Sequence, residues 1–481
     1  MKVVFILPPF DLWAAYGSSK RMNRGFLPSL GVGYLASALE ARGHASSLID
    51  AQVMNLGVTE TVDAALAETP DIVAISALSS YAHTAYAVAK ELKDRAPEVF
   101  VVMGGPHVTS FSREVITECE AVDAAVPGEG EVVLTDLADR LDRRETWRDV
   151  SGIIHRGTEG EAITNPPARM VDNLDAMPHP MRTLFDPYPY RPLPNQVRNE
   201  PATTSITSRG CSWGKCTFCY QGGEFSPKYR RRSPQNVLDE IRYLVRERGY
   251  REIVFWDDTF AVNSAWINDF CDGLDREKLK ISWSCYGHMR GIKRDMLRRM
   301  AKSGCYNLYY GFESGVQEIL DLIKKGTTLD EIRKCVGWAK ESGMEVRGSF
   351  ILGFPTETPE MTRKTIDFAC ELSVDWMMFY PFHVMKGTAI EELAKRDGTI
   401  VHNEGKLHFP EFVPSGYSDP EQLAELVRSA YRRYYLRPRY IAMALWNCRR
   451  ASAVRNYYDA FRFWLELTRG NRTASGEVSL R

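Results

Sequence analysis

The chain contains no run of about eighteen apolar residues, which argues against a membrane-spanning helix. It has no excess of either charge. Lys and Arg number 61 against 62 Asp and Glu, so no bulk pull toward nucleic acid or an anionic membrane is expected. The opening segment, MKVVFILPPFDLW, has one lysine and an apolar run too short for a secretory signal, and it reads as a first strand. No GxGxxG follows that strand, which argues against a nicotinamide or flavin dinucleotide site. Cysteine is sparse outside one loop. The seven others (Cys119, Cys271, Cys285, Cys305, Cys335, Cys370 and Cys448) are scattered like small buried hydrophobes in a reducing compartment, so a cytoplasmic location is expected. A chain of 481 residues has room for two or three domains.

Against that background one stretch stands out. SRGCSWGKCTFCY packs Cys211, Cys216 and Cys219 into nine residues. Three cysteines leave one over in any disulfide scheme. A structural zinc site wants four closed ligands, and no second CxxC or histidine pair lies close by. Three soft sulfur donors in one loop suit an iron–sulfur cluster, with zinc or a purely structural loop as the other readings. A four-iron cubane on three thiolates leaves one iron open to bind a further group and pass it an electron.

Before this loop, strand and helix patterns alternate. Strands are expected at residues 3–7, 45–49, 72–77, 99–103 and 124–126, with helices between them at 30–42 and 82–95. This is the rhythm of a doubly wound parallel sheet, whose ligands sit outside the carboxyl ends of the strands. Those ends carry Pro9, Ser76, Ser79, Gly104, Gly105, His107, Val108, Gly128 and Glu129. Residues 146–200 are proline-rich and read as a linker, with a small hairpin near residues 153–164. From residue 201 to 390 a second run of six strand–helix units is expected, an incomplete parallel barrel with its chemistry at the carboxyl ends of the strands. Residues 391–481 read as a helical cap, with Asp419 as an N-cap and Pro420 at the first helical position. Arginines interleaved with aromatics at 428–439 and 457–464 are expected to pack their rings and leave the guanidinium groups outside.

The words PPF, LPSLGVGYLASALEARGH, DIVAIS, GGPHVT and GEGE, over residues 1–145, resemble the cobalamin-binding domain that precedes the catalytic domain in one class of radical SAM enzymes. The triple-cysteine loop, DDTF, YGFESG and GSFILGFPTET follow in the order of the radical SAM barrel. The usual cysteine spacing is CxxxCxxC, and here one residue is added between Cys211 and Cys216. The DxHxxG signature is absent: Asp50 is followed by Ala51-Gln52, so the resemblance implies cobalamin bound without a protein histidine on cobalt.

It further implies that Cys211, Cys216 and Cys219 hold a [4Fe-4S] cluster whose open iron chelates S-adenosyl-L-methionine. An electron from an external donor then releases a 5′-deoxyadenosyl radical. Phe218 would lie near the adenine, Asp257 and Asp258 near the methionine amino group, and Glu313 and Ser314 near methionine and ribose. Gly353 and Phe354 would let the adenine rest against backbone, and Arg290 and Arg347 are candidates for the carboxylate. The expected activity is methylation of an unactivated carbon of a natural product or modified peptide. Cyclisation, rearrangement or oxidation on the same cofactors is the enzyme alternative, and a non-catalytic cobalamin or cluster sensor is the other. No nucleic-acid partner is expected.

Overall fold

The computed structural model describes residues 1–15, 24–193, 196–221, 228–401, 409–447 and 458. Residues 448–457 and 459–481, with Cys448 and all but one residue of the second aromatic stripe, lie outside the described residues.

The first sheet is built from β1 (Lys2–Leu7), β2 (Ala45–Asp50), β3 (Ile72–Ser76), β4 (Phe100–Gly104), β5 (Ala124–Val126), β6 (Ile154–Arg156) and β7 (Ala162–Thr164). Their order is β2-β1-β3-β4-β5-β6-β7, with the first five parallel and the last two antiparallel. The central strands are apolar on both faces. Val4, Ile6, Val73 and Ile75 pack one helix layer, and Val3, Phe5, Ile72 and Ala74 pack the other. Such near-continuous Val/Ile runs mark strands covered on both sides. The hairpin assigned above to the linker is part of this sheet: Ala124 and Ala125 on β5 face His155 and Ile154 on β6. Backbone groups on the edge of β5 need partners, and the returning hairpin supplies them.

Beyond it, the proline-rich segment runs over the first sheet instead of hanging free. Tyr190 Oη donates to Asp50 Oδ2 at 2.7 Å, the Tyr188 hydroxyl bonds the Leu48 carbonyl, and Phe185 is buried against the sheet.

The second sheet contains β8 (Ala202–Ser205), β11 (Glu252–Phe255), β12 (Ser282–Gly287), β13 (Cys305–Glu313), β14 (Glu345–Leu352) and β15 (Trp376–Pro381). All six pair in parallel in the order β15-β14-β13-β12-β11-β8, an open barrel whose first and last strands do not meet. The intervening β9 (Ser208–Arg209) and β10 (Arg230–Arg231) form a two-stranded antiparallel clip at either end of the cysteine-loop segment. A further small pair joins β16 (Gly398–Ile400) to β17 (Phe412–Pro414).

The helix Pro420–Tyr435 starts as expected, with Asp419 accepting from Gln422 N. It covers the open edge of the barrel. Tyr431 Oη and Tyr435 Oη each bond both the N–H and the C=O of a β15 residue, Phe379 and Met377 respectively. An uncovered edge strand is a template for aggregation, and tyrosine hydroxyls close this one. The arginines of the same helix stay outside, where Arg428 and Arg432 pair with Glu425 and Arg433 with Asp367.

Candidate active site

The two sheets face each other across one cavity of about 1140 Å³, lined by the carboxyl ends of strands from both. That exceeds the ~300–1,000 Å³ of ordinary small-molecule pockets. In the first sheet the order β2-β1-β3 puts the reversal of strand order beside β1, where such sheets bind ligands. Ser76, Gly104, Gly105, Gly128 and Glu129 line the cavity as expected. Gly105 has φ +96°, and a Cβ there would come within 2.8 Å of Ala77 O, so only glycine fits.

Pro9, Ser79, His107 and Val108 do not line it. Val108 is fully buried in the helix layer. His107 turns with it, bonded to Tyr86 Oη at 2.9 Å and Ser79 Oγ at 3.2 Å and stacked near Phe111. Burial holds the imidazole well below its usual pKa, at about 4. The Pro9 carbonyl accepts from Thr84 Oγ1. The helix that starts at Pro106 carries these side chains away from the strand end. Among the lining residues there is no histidine.

Glu129 and Glu131 do not face a ligand with free carboxylates. Both pair with Arg209 on β9, and Glu129 pairs also with Arg230 on β10. The GEGE loop of the first sheet is thereby tied to the clip around the cysteine loop. Sequence spacing gave no sign of these pairs, which join residues between 78 and 101 positions apart.

The cysteine loop itself is gripped from below. On either side of Cys216, Trp213 Nε1 donates to Lys324 O at 2.8 Å and Thr217 N donates to Ile323 O at 3.0 Å. The added residue in this arm accompanies a tryptophan that stacks on His288, 5.9 Å between centroids, and lies under the Arg290 guanidinium. Arg290 is thus a surface group on that ring. The turn that holds the loop also delivers Lys325, whose buried Nζ donates to Glu313 Oε1 at 2.7 Å. Lys325 acts electrostatically on Cys216 and Cys219, opposing the burial that raises those thiols to about 12 and about 11. Glu313 has φ +66°, a strained setting for a non-glycine residue and a mark of functional sites.

No trio of His, Cys, Asp or Glu among the described residues is already drawn to metal-ligand spacing. The three half-buried thiols on one loop, beside a fixed cation, are soft donors of the kind an iron–sulfur cluster takes.

The remaining expected contacts divide. Trp256 and Asp258 line the shared cavity, while Asp257 between them turns inward. Asp257 Oδ1 accepts from Thr207 N, Thr207 Oγ1 and Ser208 Oγ, which pegs the start of the cysteine loop, and its Oδ2 is buried without a partner. It does not cap the next helix, since Asn263 does that. Asp258 is exposed to the cavity yet sits deep within the protein, and burial raises its carboxyl to about 6. Ser314 turns away, fully buried, to accept from Val316 N.

Phe218 meets Phe354 edge-on at 5.5 Å. Gly353 N and Phe354 N both donate to buried Glu357, and the side a Cβ of Gly353 would take is filled by Leu423. Glu357 lies within GSFILGFPTET but was not singled out there, and Lys325 and Arg230 carry no motif at all.

Two family models match the chain, the radical SAM superfamily over residues 205–369 and the B12 binding domain over residues 24–138. An uncharacterised methyltransferase of Pyrococcus horikoshii is 32% identical over 91% of this chain and 93% of its own length. The chain belongs to the B12-binding radical SAM enzymes.

An anaerobic magnesium-protoporphyrin IX monomethyl ester cyclase of Rubrivivax gelatinosus is 28% identical over 91% of this chain and 78% of its own. The solved structure of the radical SAM methyltransferase TsrM from Kitasatospora setae, with cobalamin and a [4Fe-4S] cluster bound, superposes with a TM-score of 0.69. It covers 91% of this chain and 89% of that one at 17% identity, a likeness of fold. The cofactors of this radical SAM enzyme are therefore a [4Fe-4S] cluster, S-adenosylmethionine and cobalamin. The residues present fit them: three thiols for the cluster, a glycine-edged cavity without histidine for cobalamin. Among the described residues no helix is long and apolar enough to cross a membrane.

Proposed function

We propose that this enzyme transfers a methyl group to an unactivated carbon of a small molecule or modified peptide. The observation that carries the reading is the single cavity lined by the strand ends of both sheets, with the cysteine loop tied to its rim. When bound, the cluster and S-adenosylmethionine supply a carbon-centred radical and cobalamin supplies a methyl group.

The chain's own residues have separable tasks. Cys211, Cys216 and Cys219 hold iron, and Asp257 fixes the backbone that leads into their loop. Glu313, held by Lys325, presents an anion to an ammonium group, while Phe218 and Phe354 offer apolar rings to the adenine. Ser76, Gly104, Gly105 and Gly128 admit a large flat ligand close to backbone. Trp256 and Asp258 face the same space from the barrel side.

The test is anaerobic. The full chain is loaded with iron, sulfide and hydroxocobalamin, reduced, and given S-adenosylmethionine labelled in the methyl group. Label appearing on cobalamin together with S-adenosylhomocysteine supports methyl transfer. Deoxyadenosine formation with no label on cobalamin would overturn it in favour of the second reading, a cyclisation or oxidation, which the similarity to the Rubrivivax cyclase favours. An electron donor from outside the chain is part of either reading.

A further inference from the structure

The barrel lumen holds an arginine without an anion. Arg347 is the third residue of β14. Its neighbours Val346, Phe350 and Leu352 pack outward into the helix layer, so Arg347 and Ser349 face the lumen. Arg347 is only 7% exposed. Among the described residues it has no ion pair, and its Nε is buried without a hydrogen-bond partner. The guanidinium lies 5.1 Å from the Tyr309 ring.

The carboxylates nearest in the strands are already engaged. Glu252 accepts from Arg198 N, Asn199 N, Tyr306 Oη and Ser282 Oγ, and Glu345 pairs with Arg198. Two further lumen side chains, on β13 and β12 near the same end of the barrel, have nothing to bond among the described residues. Asn307 is 1% exposed with both its amide oxygen and nitrogen unpartnered. Ser284, its register partner across β12 and β13, is 2% exposed with its hydroxyl unpartnered.

A buried charge without a partner costs several kcal/mol, and folded proteins almost never keep one that no ligand uses. The set of groups names the ligand's chemistry. A guanidinium takes a planar or tetrahedral oxyanion, and an amide with a hydroxyl beside it can donate to the same oxygens. The depth argues for the source. Arg347 lies six residues before the Gly353 turn, roughly 20 Å lower along the strand. Glu313, level with Phe350, lies three residues or roughly 10 Å above it, and the Gly353 turn lies higher still, so both places where S-adenosylmethionine is expected are above the guanidinium's strand position.

We infer that Arg347, with Asn307 and Ser284, forms an anion subsite at the floor of the barrel and takes a carboxylate or phosphonate end of the substrate. The inference deepens the proposed function by giving its substrate an anionic end. It is read without turnover, so failure of methyl transfer leaves it standing.

The test uses the unfolding midpoint of the full chain. Arg347→Met is expected to unfold at a higher temperature than the wild type without ligand, because it removes an unpaired buried charge. Millimolar glutarate or methylphosphonate should raise the wild-type midpoint while neutral glutaramide does not. That rise should vanish in Arg347→Met and survive in part in Arg347→Lys. A Met variant that is less stable or does not fold, anion stabilisation that persists in it, or no anion effect on the wild type would each overturn the subsite. The affinity of the cluster-loaded protein for S-adenosylmethionine should stay within about twofold in Arg347→Met. A loss of about tenfold, or ~1.4 kcal/mol, would give the arginine to the methionine carboxylate and overturn assignment to the substrate.

Discussion

The two sheets carry opposite kinds of group. The first offers glycines, backbone and apolar side chains, and its acidic GEGE loop is occupied by Arg209 and Arg230. The second offers buried charge: Glu313 with Lys325, Asp257 as a peg, Glu357 under a turn, and Arg347 alone. The first surface is suited to admit a large ligand by shape. The second acts through fixed electrostatics, which are strongest where water is excluded. Two domains built on parallel strands, one doubly wound and one an open barrel, thus differ in kind, one by what it leaves out and the other by what it holds.

The difference makes predictions that separate the sheets. Cys219→Ala should have the largest effect, abolishing cluster assembly while the first sheet still retains cobalamin. Iron and cobalt counts on one reconstituted sample check this, and parallel loss of cobalt would break the division.

Next, Lys325→Met leaves Glu313 as a lone buried anion. Removing one partner of a buried pair costs about 3–5 kcal/mol, so a large fall in denaturant midpoint is expected. The double change with Glu313→Gln should recover much of it, and a double variant no better than the single one would argue that Lys325 is held by something else.

Glu357 comes third. Burial raises its carboxyl from 4.5 to about 7, despite the bonds from Gly353, Phe354 and Thr362 that favour the anion. The folded chain therefore holds this proton more tightly than the unfolded one. Stability is greatest below the unfolded value and falls as pH rises toward 7, by about 3 kcal/mol at most. Glu357→Gln should flatten that decline in urea melts taken between pH 5 and pH 8.

The smallest effect is expected on the other sheet. Gly105→Ala places a Cβ against Ala77 O in a conformation only glycine favours, a cost of about 1–3 kcal/mol. Cobalt retention should fall while iron content stays unchanged.

Local pattern made the strands readable. The β-branched runs of the first sheet lie within a few residues of where they were expected, and six parallel strands follow within residues 201–390, because alternation of apolar strand and amphipathic helix is written in neighbouring positions. The cysteine loop was equally plain, since three thiols in nine residues need no fold to bring them together. The hairpin of β6 and β7 was assigned to the linker because its strands are short and its partner, β5, lies some thirty residues earlier. His107 looked like a loop residue, and a one-turn helix buried it. Ser314 sat in a recognisable motif, yet a turn took its hydroxyl for Val316.

By itself, then, the sequence determined the order of the domains, the parallel character of their sheets and the chemistry of the sulfur loop, all of which rest on short-range spacing. Only the tertiary structure decided which side chains face the cavity, which carboxylates already have partners, and that Lys325 and Arg347 stand where they do. Those outcomes depend on close packing and on charge pairing between residues far apart in the chain, where burial changes the energy of a group and no local pattern records it.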